Sequence, residues 1–111
     1  MTRQKVLVEF FQTVPDDPRI TSKHISLYLA LIQQADENQA EKPIALDRFT
    51  LMQASKISGR PTYLKCLKCL HQFGYLQYFP APHRYICSYV CLLESNKHSK
   101  HTSKNKNNLS I

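Results

Sequence analysis

Two hydrophobic periods meet at Gly74, and no single regular element satisfies both. The run Gly59-Arg-Pro-Thr-Tyr-Leu-Lys-Cys-Leu-Lys-Cys-Leu-His-Gln-Phe73 repeats its apolar residues at helical spacing. Beyond it, Tyr75-Leu-Gln-Tyr-Phe79 and Tyr85-Ile-Cys-Ser-Tyr-Val-Cys-Leu-Leu93 alternate with period two. Glycine reaches the left-handed conformation that closes a helix, so a long helix is expected to stop at Phe73 and a β-hairpin to begin at Tyr75. On a wheel of 100° per residue, Tyr63, Leu64 and Leu70 fall within about 60° of Leu67 and make a core face. Ser58, Thr62, Lys65, Cys69 and Gln72 gather on the opposite side, with Lys68 at the border. The start of this helix stays open: Pro61 suits the first helical position, Ser58 is the better cap, and Arg60 before proline favours extended backbone. In the hairpin, Pro80-Ala-Pro-His-Arg84 makes the turn. Leu76, Ile86, Val90 and Leu92 are expected inward, with Tyr85, Cys87, Tyr89 and Cys91 on the other face.

Upstream, Lys5 to Val14 places Leu7, Phe10, Phe11 and Val14 at helical spacing, although Val6, Val8 and Phe10 also permit a strand. Pro15-Asp-Asp-Pro18 breaks whatever precedes it, because proline lacks an amide donor and restricts its predecessor. Thr21 or Ser22 then caps a helix running from Lys23 to about Glu37, with Ile25, Tyr28, Leu29, Ile32 and Ala35 on one apolar face. Leu27 and Leu31 lie on another side, as expected of a central helix covered by more than one neighbour. Ile44-Ala-Leu46 fits a very short strand, and Asp47 caps a helix from Arg48 to about Ala54 with Phe49, Met52 and Leu51 as its inward candidates. Ser55-Lys-Ile-Ser58 supplies the turn that follows.

Charge is distributed as unevenly as hydrophobicity. The 111 residues carry a net +7, but residues 1–47 sum to −2, while residues 48–93 hold six cations and not one Asp or Glu, for +6. A globular segment without carboxylates repels itself, and its commonest use is to meet a polyanion such as nucleic acid. Past Glu94 the chain is polar and basic, with Lys97, Lys100, Lys104 and Lys106, and is expected to be a flexible tail that adds non-specific phosphate attraction or none. The division expected is therefore an N-terminal helix and loop over 1–19, a folded domain over 20–94 and the tail over 95–111.

At this length, with 42% hydrophobic residues, one core forms without disulfides. No apolar run is long enough for a membrane span and no secretory signal opens the chain, so a cytoplasmic protein with reduced thiols is expected and no membrane partner. Cys66-x2-Cys69 and Cys87-x3-Cys91 come near a zinc-ribbon spacing, but they fall inside the expected helix and strand rather than in tight turns. We therefore expect small, partly buried thiols and neither a metal nor a cofactor. His24 and His71 read as partly buried structural residues, and His98 and His101 lie in the tail. There is no Gly-rich phosphate loop, no His-Glu-x-x-His and no carboxylate cluster, so no catalytic residue is assigned and no enzymatic activity expected. The tyrosines and phenylalanines of the hairpin fit core packing better than base stacking in a single-strand or RNA binder.

The stretch from Leu51-Met-Gln-Ala-Ser-Lys-Ile-Ser-Gly-Arg-Pro-Thr-Tyr63 through Phe73-Gly-Tyr-Leu76 resembles winged-helix regulators carried on bacterial mobile and conjugative elements. The likeness extends more loosely to His24-Ile-Ser-Leu-Tyr28 and Ser88-Tyr-Val-Cys-Leu92. It implies an α+β, mainly helical fold: a winged helix-turn-helix, with a three-helix core and a C-terminal β-hairpin wing, preceded by an extra N-terminal helix. The implied function is sequence-specific binding of double-stranded DNA in transcription regulation or element maintenance. Arg60-Pro61 stands where small residues are usual, and Cys87 where the wing often has glycine, so recognition contacts and wing conformation depart from the pattern. Thr62, Lys65, Cys69 and Gln72 are the candidate base readers, Lys56, Arg60 and Lys68 the candidate backbone contacts, and His83 and Arg84 the wing-tip contacts. The N-terminal helix is available either for a homodimer or for its own domain. The competing reading is a winged helix serving as a protein-interaction or assembly module in replication or conjugation machinery, since fold alone does not decide between them.

Overall fold

Helix α1 spans Arg3–Thr13 and is followed by a single 3-10 turn at Val14–Asp16. Then come α2 (Ser22–Gln34), β1 (Ile44–Ala45), α3 (Arg48–Ser55), α4 (Arg60–Gln72), β2 (Leu76–Phe79) and β3 (Tyr89–Leu92). The computed structural model describes residues 1–84 and 86–94, so the expected tail and the outward Tyr85 lie outside the described residues. About half of the described residues are helical, and the strands form one antiparallel sheet in the order β1-β3-β2. Among the described residues, no helix is long and apolar enough to cross a membrane.

Local chemistry accounts for most of the boundaries. α2 begins at Thr21, whose backbone N–H donates to Nδ1 of His24 at 2.9 Å. Burial lowers the His24 pKa, which favours the neutral ring able to accept that bond. α3 begins at Asp47, which accepts from the Thr50 amide at 3.4 Å and the Thr50 hydroxyl at 2.7 Å. α4 is capped by Gly59 rather than Ser58, and Arg60 enters the helix as its first residue despite the proline behind it. Pro61 then sits in the first turn, where an amide has no intrahelical acceptor to lose. At the far end, Gly74 N–H reaches the His71 carbonyl and Tyr75 N–H the Leu70 carbonyl, with Gly74 at φ 88°. This is the paired closure that a left-handed glycine permits.

The core lies where the helices meet the inner face of the sheet. Leu27, Leu31, Leu51, Leu67, Leu70, Leu76, Val90 and Leu92 are fully buried together with four aromatic rings, those of Phe10, Tyr28, Tyr63 and Tyr75. Phe10 stacks on Tyr28 at 4.0 Å, and Tyr75 meets Phe10 nearly edge-on at 5.5 Å, so α1, α2 and the junction after α4 share one aromatic cluster. A hydrogen bond from the Ser26 hydroxyl to the Ser55 carbonyl ties α2 to the end of α3. In the sheet, Val90 pairs with Ile44 on one side and Tyr78 on the other, so two-residue β1 holds the hairpin to the helical layer.

Four expected inward positions point out instead. On α1 the buried stripe is Val6 and Phe10, which leaves Phe11 exposed. On α2, Leu27 and Leu31 are the most deeply buried residues and Leu29 is turned to solvent, because the helix packs chiefly on α3 and α4. On α3, Leu51 and Ser55, one turn apart, take the core side, Met52 is half-buried and Phe49 is 81% exposed. In the hairpin, Ile86 is exposed because β3 begins at Tyr89 and not at Tyr85. Pro80 and Pro82 supply no amide donor, so the ladder stops at Phe79 and resumes only when the chain has turned back.

Candidate nucleic-acid interface

Helix α4 exposes a polar face because its other side is committed. Tyr63, Cys66, Leu67 and Leu70 are buried, and Leu64 packs against the core from the edge. Lys65, Lys68 and Gln72 are exposed, with Thr62 and Cys69 half-exposed between them. Positions 62, 65, 69 and 72 recur at three- and four-residue steps, so these side chains line one side of the rod. Arg60 is exposed at its N-terminal end.

The turn before α4 aims one more cation. Lys56 closes α3 in the left-handed conformation, φ 62°, and its exposed side chain extends from that turn. Ile57 follows with its amide on the Met52 carbonyl at 3.1 Å and its side chain in the core. A lysine in this backbone region costs about 1 kcal/mol against glycine, so the turn holds its cation under local strain.

In the hairpin, His83 and Arg84 are exposed in the loop between β2 and β3. That loop folds back through the Ile86 amide onto the His83 carbonyl at 3.2 Å. The pairing of Phe79 with Tyr89, rings stacked at 4.6 Å, closes the strand ends below it. Every candidate contact residue thus lies at least partly in solvent, on α4, on the turn before it or on the hairpin loop.

Two connections were not visible in the sequence. His71, expected to be a partly buried structural residue, is exposed, and its Nδ1 accepts the Tyr78 amide at 3.0 Å. In the neutral ring this leaves the proton on Nε2, and it fixes β2 against the last turn of α4. Asp17, in the loop after α1, accepts from Arg19 Nε at 2.8 Å and from the Tyr75 hydroxyl at 2.6 Å. The Arg19 guanidinium holds the Asp17 carboxyl down at about 2 despite burial, with Tyr75 adding to the effect. Arg19 also lies 4.3 Å over the Phe73 ring, so the proline-flanked loop straps the helix-to-hairpin junction from outside.

The cysteines are not arranged as a site. All four are free thiols: Cys66 is buried, Cys69 and Cys91 half-buried and Cys87 exposed. Burial pushes the Cys66 and Cys91 thiols up, away from the thiolate form that metal binding and nucleophilic attack need. Among the described residues, no three His, Cys, Asp or Glu side chains converge as metal ligands. The chain matches no protein-family model, no curated protein and no solved structure.

Proposed function

We propose that this protein binds double-stranded DNA in a sequence-specific manner as a winged helix-turn-helix, regulating transcription or maintaining a mobile element, with no catalytic step of its own. In this reading α3, the turn at Lys56 and α4 are the helix-turn-helix, and β2 and β3 with their loop are the wing. The observation that carries it is the outer face of α4: lysines and hydrogen-bonding side chains in solvent, backed by buried leucines, within a segment that holds no carboxylate from residue 48 to 93.

The chemistry follows from the shape of the duplex. An α-helix fits the major groove, where Lys65 donates to guanine O6 or N7 and Gln72 pairs with an adenine edge. Thr62 and Cys69 are short enough to bring the helix close. Lys56, Arg60 and Lys68 neutralise phosphates, which gives affinity and register without sequence preference, and His83 and Arg84 reach the neighbouring backbone or minor groove.

Titration of duplex DNA at two salt concentrations tests the reading. The logarithm of the binding constant should fall by about 0.9 for each phosphate neutralised per decade of salt. Duplex binding that is absent, or unmoved by salt, would sink the proposal in favour of an assembly module. Selection from a random duplex pool then identifies the site, and a palindromic winner would show that the protein reads DNA as a homodimer.

A further inference from the structure

The face of α3 turned away from the core carries a feature that duplex binding does not use. Phe49 is 81% exposed, and with Met52 and Ile57 it lines a groove of about 580 Å³ between α3 and the turn that follows. One exposed phenyl ring is ordinary on a protein surface, but here it adjoins other apolar side chains in a shallow depression that a partner's side chain can cover. Arg48 and Lys56 also line the groove, with Gln53 between them in sequence. Asp47, the residue before Arg48, has both oxygens engaged by Thr50 at the start of the helix. The groove therefore combines apolar side chains with two cations, and no acid is among its lining residues.

We propose that this groove docks a short segment of a partner protein in which an apolar side chain is flanked by Asp or Glu. The apolar anchor covers Phe49 and Met52, and the flanking carboxylates meet Arg48 and Lys56. Duplex DNA satisfies only half of this chemistry, because phosphates pair with the two cations but leave the phenyl ring uncovered. The groove is a shallow, open depression rather than an enclosed cavity, which suits a side chain on a passing backbone better than a small molecule. The inference does not depend on DNA binding: it rests on Phe49, Met52 and Arg48 of α3 and shares only Lys56 with the DNA reading, which is carried by the outer face of α4.

The test is selection of random dodecapeptides on the immobilised full chain, followed by anisotropy titration with the labelled winner. Winners should share a large apolar residue next to Asp or Glu. Phe49→Ser should weaken the winner at least about tenfold, as removal of a central aromatic contact does. Arg48→Glu should do likewise and should regain binding to a winner in which the acids are exchanged for lysine. Because Phe49 is so exposed, the serine variant should keep the parent melting temperature, which separates lost docking from lost folding. Failure to enrich any peptide, winners without acids, or equal binding by Phe49→Ser would overturn the proposal. So would a duplex affinity that Phe49→Ser reduces, which assigns the groove to DNA, or self-association that the variant abolishes, which assigns it to a second copy. If the parent bound no duplex yet selected acidic apolar peptides, the DNA reading would fall and this one would stand.

Discussion

Residues 1–47 and residues 48–94 use charge in opposite ways. In the first region charged groups bond to the chain itself, largely at the surface: Asp17 clamps Arg19 and Tyr75, Arg3 pairs with Glu37, Asp36 caps a turn at Asn38 and Gln39, and Asp47 starts α3. In the second, no described ion pair involves Lys65 or Lys68, and the core is held by leucines, tyrosines and a sheet. The difference teaches that acids occur where the fold uses acceptors and are missing from residues 48–93. If the proposed DNA reading holds, stability and recognition are separated along the chain.

The separation predicts that each region can be damaged alone. The largest effect is expected from reversing Lys65 and Lys68 together to Glu: salt-sensitive duplex binding should fall more than about 100-fold by electrophoretic or anisotropy assay, with an unchanged melting curve. Taken singly, Lys65→Ala should lose about 1–3 kcal/mol on the preferred site and relax its sequence preference, whereas Lys68→Ala should weaken all duplexes alike. If both bound every duplex as the parent does, α4 would not be the reader.

Asp17→Asn is the reciprocal experiment. The folded carboxyl titrates near 2 rather than 3.8, so its contribution is present above the unfolded value and disappears as pH falls from about 3.8 toward 2. At neutral pH the variant should be less stable by about 1–2 kcal/mol, an amount reduced by the partial exposure of Arg19. Denaturant melts at pH 7 and pH 2 should show that gap closing, while DNA affinity at neutral pH stays as in the parent. A gap that persists at pH 2 would mean that the strap acts by packing and not through its charge.

The smallest effect should come from Lys56→Gly, where both regions are probed by one residue. Glycine relieves the left-handed strain at φ 62°, so stability should rise by about 0.5–1 kcal/mol in a thermal melt. Duplex affinity should drop only by the loss of one phosphate contact, visible as a shallower salt slope. Equal slopes for parent and variant would remove Lys56 from the interface.

The elements legible in the sequence were those with strong local signals. Asp47, Thr21 and Gly74 mark helix ends through chemistry that acts within a few residues, and the change of period after Gly74 locates the strands. The polar face of α4 was legible for the same reason, since thirteen residues give a helix enough turns to define its sides. The eight residues of α3 do not: Phe49 and Leu51 compete for the core, and only the neighbouring helices decide for Leu51. Ile86 was misplaced because alternation says nothing about where two prolines let pairing resume. Asp17 and Tyr75 stand 58 residues apart, so no local pattern announces their bond. The His71 contact with Tyr78 is close in sequence, but it depends on how β2 leaves the helix, which composition does not encode.

That last contact sets a fixed gauge. With the imidazole of His71 gripping the amide of Tyr78, the hairpin cannot swing away from α4 unless a hydrogen bond is broken. A long ligand that must touch both therefore finds their spacing set before it arrives, like the jaws of a caliper locked at one opening. In the proposed complex with DNA, such a ligand would be measured for width as well as read for chemistry, and less ordering entropy would be lost when it binds.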